Sequence, residues 1–268
     1  MTALHLPLAR TNFIRSSSAP PPPSASTTPV TVTQNLSYWD SIYSDINSHL
    51  KKSIPIRHPV SVFEPMHHLT FSPPKPTAAA LCVAACEVVG GDRADAVVAA
   101  SAIHLMHAAI YTHDHLLLTD RPGSGIPHRF GSNVELLTGD GIMPFGFELL
   151  AGSGGADSEK MLKVVVEIAQ AVGGKGMVDG WSGRPSRRLD GCGAACGAIL
   201  GGGSVEEIDR MKRFGVYVGK IQGLLSDESG SEGGKVELAE KWRDLALEEL
   251  EYFEGKKIEQ ISTIVRVT

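Results

Sequence analysis

From Ser37 onward, the apolar residues of this 268-residue chain return every three to four positions in one segment after another. Tyr38, Ile42, Ile46 and Leu50 make the first such stripe, the repeat of a helix that buries one face. A short helix is expected over 63–69, stopped by Pro73-Pro74, then an Ala-rich one over 77–89 closed by Gly90-Gly91. Asp92 can cap a helix running over 94–118. Further helices are expected over 134–150 despite Pro144, then 158–172, 191–200, 205–225 and one long last helix over 235–261. Gly201-Gly202-Gly203 reads as a helix terminator rather than a phosphate loop. Thr263-Ile264-Val265 alone carries a strand signal. The class is all-α, a single-domain helical bundle over 37–268.

Net charge is −5 and no Lys/Arg-rich run occurs, so no nucleic-acid partner is indicated. No uninterrupted apolar stretch of about 18 residues suggests a membrane span. Residues 1–36 differ from the rest. They hold Arg10 and Arg15 but no acid before Asp40, and Ser16 to Ser18 precede Pro20 to Pro23. Such a segment cannot bury a core and is expected to be disordered. Its acid-free, Ser- and Pro-rich character reads as a transit peptide, plastid rather than mitochondrial, which places the mature chain in the stroma.

Four cysteines stand as two Cys-x-x-x-Cys pairs, Cys82/Cys86 and Cys192/Cys196, each one helical turn apart among alanines. They read as small core residues, or as four thiolates for zinc. His104, His107, Tyr111 and Asp114 share one helical face, with His113 and His115 beside them. That face is either a histidine-rich metal site or the eroded wall of a cavity.

Several strings resemble the short-chain isoprenyl diphosphate synthase family, in particular plant geranylgeranyl diphosphate synthases. They are Ala84-Ala85-Cys86-Glu87-Val88-Val89-Gly90-Gly91-Asp92, His104 through Asp114, Leu137-Thr138-Gly139-Asp140-Gly141, and Glu167 through Gly173 with Gly176-Met177-Val178. They fall in order across most of 37–225, so the resemblance spans a domain. It implies the isoprenoid-synthase type of helical bundle. It also implies a chemistry in which Mg²⁺, held by two Asp-rich motifs, neutralises a departing diphosphate.

Against that pattern the catalytic positions depart. The first Asp-rich motif reads Asp114-His115-Leu116-Leu117-Leu118-Thr119-Asp120, so the outer acids survive and the middle one is His115. The pair of arginines expected just after it is missing, since the stretch reads Arg121-Pro122-Gly123. In the second motif Leu225 and Ser226 stand where two aspartates belong, after Ile221-Gln222. The diphosphate clamp keeps one cation, Lys75, between Pro74 and Pro76. Losing one preorganised electrostatic group commonly costs roughly a hundred- to thousandfold in rate, and here several are lost together. Asp114 and Asp120 are therefore vestigial metal ligands, Lys75 a vestigial substrate contact, and no cofactor is expected on this chain.

The cysteine pairs resemble those of the small subunits that join active plant geranylgeranyl diphosphate synthases. That resemblance implies a partner-binding role for Cys82, Cys86, Cys192 and Cys196, with Mg²⁺ and the chemistry held by the large subunit. The expected function is a catalytically inactive regulatory subunit that binds the large subunit and directs it toward geranyl diphosphate. An active prenyltransferase with altered metal ligands is the alternative, and a metal-binding sensor on the same fold a third reading.

Overall fold

The computed structural model describes residues 30–116, 129–153, 157–174, 189–225 and 232–265. Its regular structure is ten α-helices and one 3₁₀ turn, with no strand among the described residues. The first helix, α1 (Val30–Ser53), begins ahead of the boundary expected at residue 37. Tyr38, Ile42, Ile46 and Leu50 are all buried, as their spacing requires. Each such side chain contributes about 1.5–3 kcal/mol by leaving water. Residues 1–29, which hold most of the expected leader, lie outside the described residues.

The next helix, α2 (Val60–Phe71), is longer at both ends than the sequence pattern suggests, with Pro65 buried inside it. Pro76 precedes α3 (Thr77–Val88), whose residues from Ala78 to Cys86 are all buried. Gly90 closes α3 at φ 91°, with Gly90 N donating to Glu87 O at 3.2 Å and Gly91 N to Cys86 O at 2.9 Å. The Asp92 side chain caps α4 (Arg93–Asp114) by accepting from Ala94 N at 2.9 Å. This helix stops short of the expected residue 118. His115 turns out of it and donates from Nδ1 to the Tyr111 carbonyl at 2.8 Å, occupying a carbonyl of the last turn. By length and hydropathy α4 could cross a membrane, contrary to the reading of the sequence, but most of it is buried inside the bundle.

After the first undescribed stretch come α5 (Ser132–Ala151), which carries Pro144, and α6 (Ser158–Val172), capped by Asp157. All twelve residues of α7 (Leu189–Leu200) are buried. Glycines let its neighbours reach it: Gly193 packs on the Ala78 carbonyl of α3 and Gly197 on that of Cys82, with no room for a Cβ at either. On its other side Gly191 meets Val216 of α8 (Val205–Leu225). Gly202, at φ 81°, ends α7, with Gly203 N donating to Ala198 O at 2.9 Å. Gly201-Gly202-Gly203 is thus the helix terminator that the sequence suggests. Ser204 and Glu207 then cap α8 reciprocally, at 2.6 and 3.3 Å.

The single long last helix is in fact two, α9 (Glu232–Leu250) and α10 (Lys256–Ser262). Gly255 between them sits at φ 123°, outside any helix. The β-branched run Thr263–Val265 is a 3₁₀ turn and not a strand. Trp39 Nε1 donates to Thr263 Oγ1 at 2.9 Å and Val265 is buried, so packing on α1 overrides local propensity. Glu87 ties the ends of the bundle together. It accepts from Tyr38 Oη of α1 at 2.6 Å, Lys257 Nζ of α10 at 2.9 Å and Arg93 Nε of α4 at 3.3 Å. Burial opposes its charge, yet these donors win and hold its carboxyl below the ordinary range.

Candidate functional site

The four cysteines meet where α3 and α7 pack. All are free thiols and all are buried within this chain. Cys192 Sγ and Cys196 Sγ lie 3.9 Å apart, Cys86 Sγ is 3.3 Å from Asp92 O, and Cys196 Sγ is 4.0 Å from Val164 O. Burial pushes the Cys82 thiol well up and that of Cys86 to about 12. Cys196 is raised by its hydrogen bond to Cys192 and then by burial. The raised thiols of Cys82, Cys86 and Cys196 hold their protons, which suits packing. None of the four is on the surface.

The first Asp-rich motif sits at the end of α4. Asp114 is its last residue and is exposed. The His115 ring folds back and stacks on Tyr111, centroids 3.9 Å apart. Asp120 lies outside the described residues. His113 Nε2 is 3.2 Å from Asp140 Oδ1, and a Cβ on Gly139 would stand 2.6 Å from that nitrogen. The Leu137-Thr138-Gly139-Asp140 stretch is therefore a seat for His113: glycine for room, aspartate as partner.

Further along α4, His104 donates from Nε2 to Thr70 O at 2.9 Å and leaves a buried Nδ1 without a partner. His107 leaves its buried Nε2 likewise. Burial lowers both, His107 to about 4, so both imidazoles are neutral. No group of three or more His, Cys, Asp or Glu converges as metal ligands among the described residues. Among the described residues the donor set does not fit Mg²⁺, which needs several hard oxygens, whereas Asp114 is followed by an imidazole.

Leu225, at the end of α8, is 63% exposed and offers no carboxylate, and Ser226 lies outside the described residues. Lys75 and Gln222 both reach one polar cluster. Gln222 Nε2 donates to Thr77 Oγ1 at 2.8 Å. Thr77 in turn lies within hydrogen-bonding reach of the Tyr43 hydroxyl. Lys75 Nζ stands 5.1 Å from the centre of the Tyr43 ring. Asp190 of α7 is only 5% exposed, its carboxyl pushed up to about 8 by burial, and its charge helps to raise Tyr43. Sequence reasoning passed over Asp190 and Tyr43. The available signal was one acid inside the run of small apolar residues from Leu189 to Leu200.

Away from these groups, α5 and α6 carry exposed apolar side chains. Leu137 is 70% exposed, with Val134 and Leu136 near it on α5; Leu162 is 63% exposed and Val166 follows one turn later on α6.

No protein-family model matches the chain. It is 43% identical over 259 residues to the heterodimeric geranylgeranyl pyrophosphate synthase small subunit 2, chloroplastic, of Cannabis sativa, covering 85% of this chain and 90% of that protein. The chain belongs to the isoprenyl diphosphate synthase family. Within it, the chain groups with small subunits. The corresponding chloroplastic small subunit of Arabidopsis thaliana is 31% identical over 276 residues, 91% of this chain and 82% of that one. The crystal structure of the geranyl diphosphate synthase small subunit from Antirrhinum majus superposes with a TM-score of 0.79 at 47% identity, covering 87% of this chain and 99% of that one. A deletion mutant of the heterotetrameric geranyl pyrophosphate synthase of mint gives 0.74 at 45% identity, over 85% and 98%. The all-α bundle is that of the isoprenyl diphosphate synthases.

Proposed function

We propose that the chain is the non-catalytic, regulatory subunit of a heteromeric prenyltransferase. It binds an active geranylgeranyl diphosphate synthase large subunit in the plastid stroma and directs the pair toward geranyl diphosphate. The observation that carries this is the state of the two Asp-rich positions. His115 is folded onto its own helix and Leu225 has no carboxylate, while the packing around them is kept. The relatives named heterodimeric and chloroplastic support a plastid assembly with a large subunit.

The chain's own part is structural. The α3–α7 pair, spaced by glycines and thiols, holds the bundle rigid, and the exposed apolar residues of α5 and α6 meet the partner. Mg²⁺ and both substrates belong to the large subunit. Residues 1–36 act as the import signal and are removed.

The mature chain alone, given isopentenyl diphosphate, Mg²⁺ and dimethylallyl or geranyl diphosphate, is expected to show no turnover. Product formation at a rate typical of the family, abolished by Asp114→Ala, would instead establish an active prenyltransferase with altered ligands.

A further inference from the structure

The chain is acidic as a whole, with 30 Asp and Glu against 25 Lys and Arg. One region departs from that balance. From Ile46 to Cys86 the only acid is Glu64, while Lys51, Lys52, Arg57 and Lys75 all fall within it. Glu64 is itself held by Arg129, Nη2 to Oε1 at 2.6 Å. The cations gather where α1 ends and α2 begins. Lys51 and Lys52 stand in the last turn of α1, Arg57 lies in the connection 54–59, and all three are exposed.

The same corner turns aliphatic side chains outward. Ile54 is fully buried and donates from its backbone N to Leu50 O at 2.8 Å, which anchors the connection on α1. From Pro55 to Val62 every residue is then exposed. Ile56 is 57% exposed, Val62 53% and Val60 40%. Val62 N and Phe63 N both donate to Pro59 O, at 3.0 and 3.2 Å, so α2 is already wound where it presents Val60 and Val62. The Arg57 guanidinium lies 4.4 Å from the centre of the Phe63 ring, which holds this cation against the first turn of α2. Single exposed aliphatic side chains are common on any protein surface. Three between Ile56 and Val62, flanked by unpaired cations, mark an interaction site.

We propose that the α1–α2 corner docks on an anionic lipid bilayer: Ile56, Val60 and Val62 enter the boundary between headgroups and acyl chains, and Lys51, Lys52 and Arg57 lie against the acidic headgroups. Aliphatic side chains beside Lys and Arg are the composition of a segment that lies in that boundary rather than spanning it. A protein partner suits the corner less well. A stable protein interface takes about 20–30 residues a side, far more than this corner offers. A bilayer needs only a few inserted side chains, with the cations adding attraction. These residues are not those of α5 and α6 assigned to the large subunit, so the docking stands whether or not that role does.

The test is flotation of the full chain with vesicles of phosphatidylcholine alone and of phosphatidylcholine with about 30% phosphatidylglycerol, at about 50 mM and about 500 mM salt. Residues 1–36, with Arg10 and Arg15, are common to wild type and variants, so a difference between them reports the corner. Wild type should partition onto the anionic vesicles about tenfold better than onto the neutral ones, and lose most of that preference at the higher salt. Lys51→Ser/Lys52→Ser/Arg57→Ser should bind anionic vesicles about tenfold or more weakly, each cation near such a surface contributing about fivefold. Ile56→Ser/Val60→Ser/Val62→Ser should bind about tenfold or more weakly as well. Both triple variants replace exposed side chains, so their melting temperatures should stay close to that of wild type. Ile56→Ser alone, outside any helix, repeats the aliphatic test should the triple variant fold poorly. Equal partition of wild type onto both kinds of vesicle, or anionic binding that survives the substitutions, overturns the inference. So does loss of large-subunit association in the variants when wild type binds no vesicle, which would make the corner a protein-docking surface.

Discussion

At the scale of single residues, the polar groups along α4 are packed or held neutral. His115 stacks on Tyr111, His113 rests on Gly139, and His104 and His107 are held neutral by burial. Asp190 is the exception, because its carboxyl is raised from 3.8 to about 8. A carboxyl that binds its proton more tightly in the fold than in the unfolded chain lowers stability progressively as pH rises between those two values. Asp190→Asn should thus gain in melting temperature over wild type from about pH 5 to about pH 8, and the gap should level off above that. Thermal denaturation across that range checks it; a gap of constant size would mean that Asp190 titrates normally. The histidine face was visible in the sequence as spacing. Its hydrogen bonds were not, because which nitrogen faces Thr70 depends on how α2 lies on α4.

At the scale of helices, most of the pattern could be read from periodicity and caps. The spans of α6 and α8 follow from their apolar repeats, and Asp92 and Gly202 mark helix ends by side-chain capping and by positive φ. The errors came where tertiary contact decides. Gly255 splits the last helix, and Thr263–Val265 curls onto Trp39 instead of extending.

The cysteine pairs belong to this scale too. Spacing placed two thiols on one face of each helix, but only the fold shows that both faces point into the same chain. Gly197→Val should destabilise the bundle by about 1–3 kcal/mol, since a side chain there meets the Cys82 backbone. For the thiols, Cys86→Ser keeps an acceptor in Asp92 O, whereas Cys196→Ser has only distant ones. A buried hydroxyl left unpaired costs roughly 1–3 kcal/mol. The Cys192→Ser/Cys196→Ser double variant should therefore lose more stability than Cys82→Ser/Cys86→Ser, and weaker association with the large subunit should follow the same order. Denaturant titration beside a pull-down tests this; association lost with no change in stability would point to direct contact by the thiols.

At the scale of the whole molecule, family membership was legible because whole motifs survive in order, even where their charges do not. The surface proposed to meet another chain was not, because exposed Leu137 and Leu162 look in sequence like any residues of an amphipathic helix. Leu137→Asp should leave the melting temperature almost unchanged, as an exposed substitution does, yet weaken binding of the large subunit by about tenfold or more. Unchanged affinity by size exclusion or calorimetry would remove α5 from the interface.

The most direct test of the regulatory role is co-expression of the mature chain with a plastid geranylgeranyl diphosphate synthase large subunit, followed by isolation of the complex and chain-length analysis of its products. A stable complex whose main product is geranyl diphosphate, where the large subunit alone makes geranylgeranyl diphosphate, is the predicted result. A complex with the product profile of the large subunit alone, or no complex at all, contradicts it.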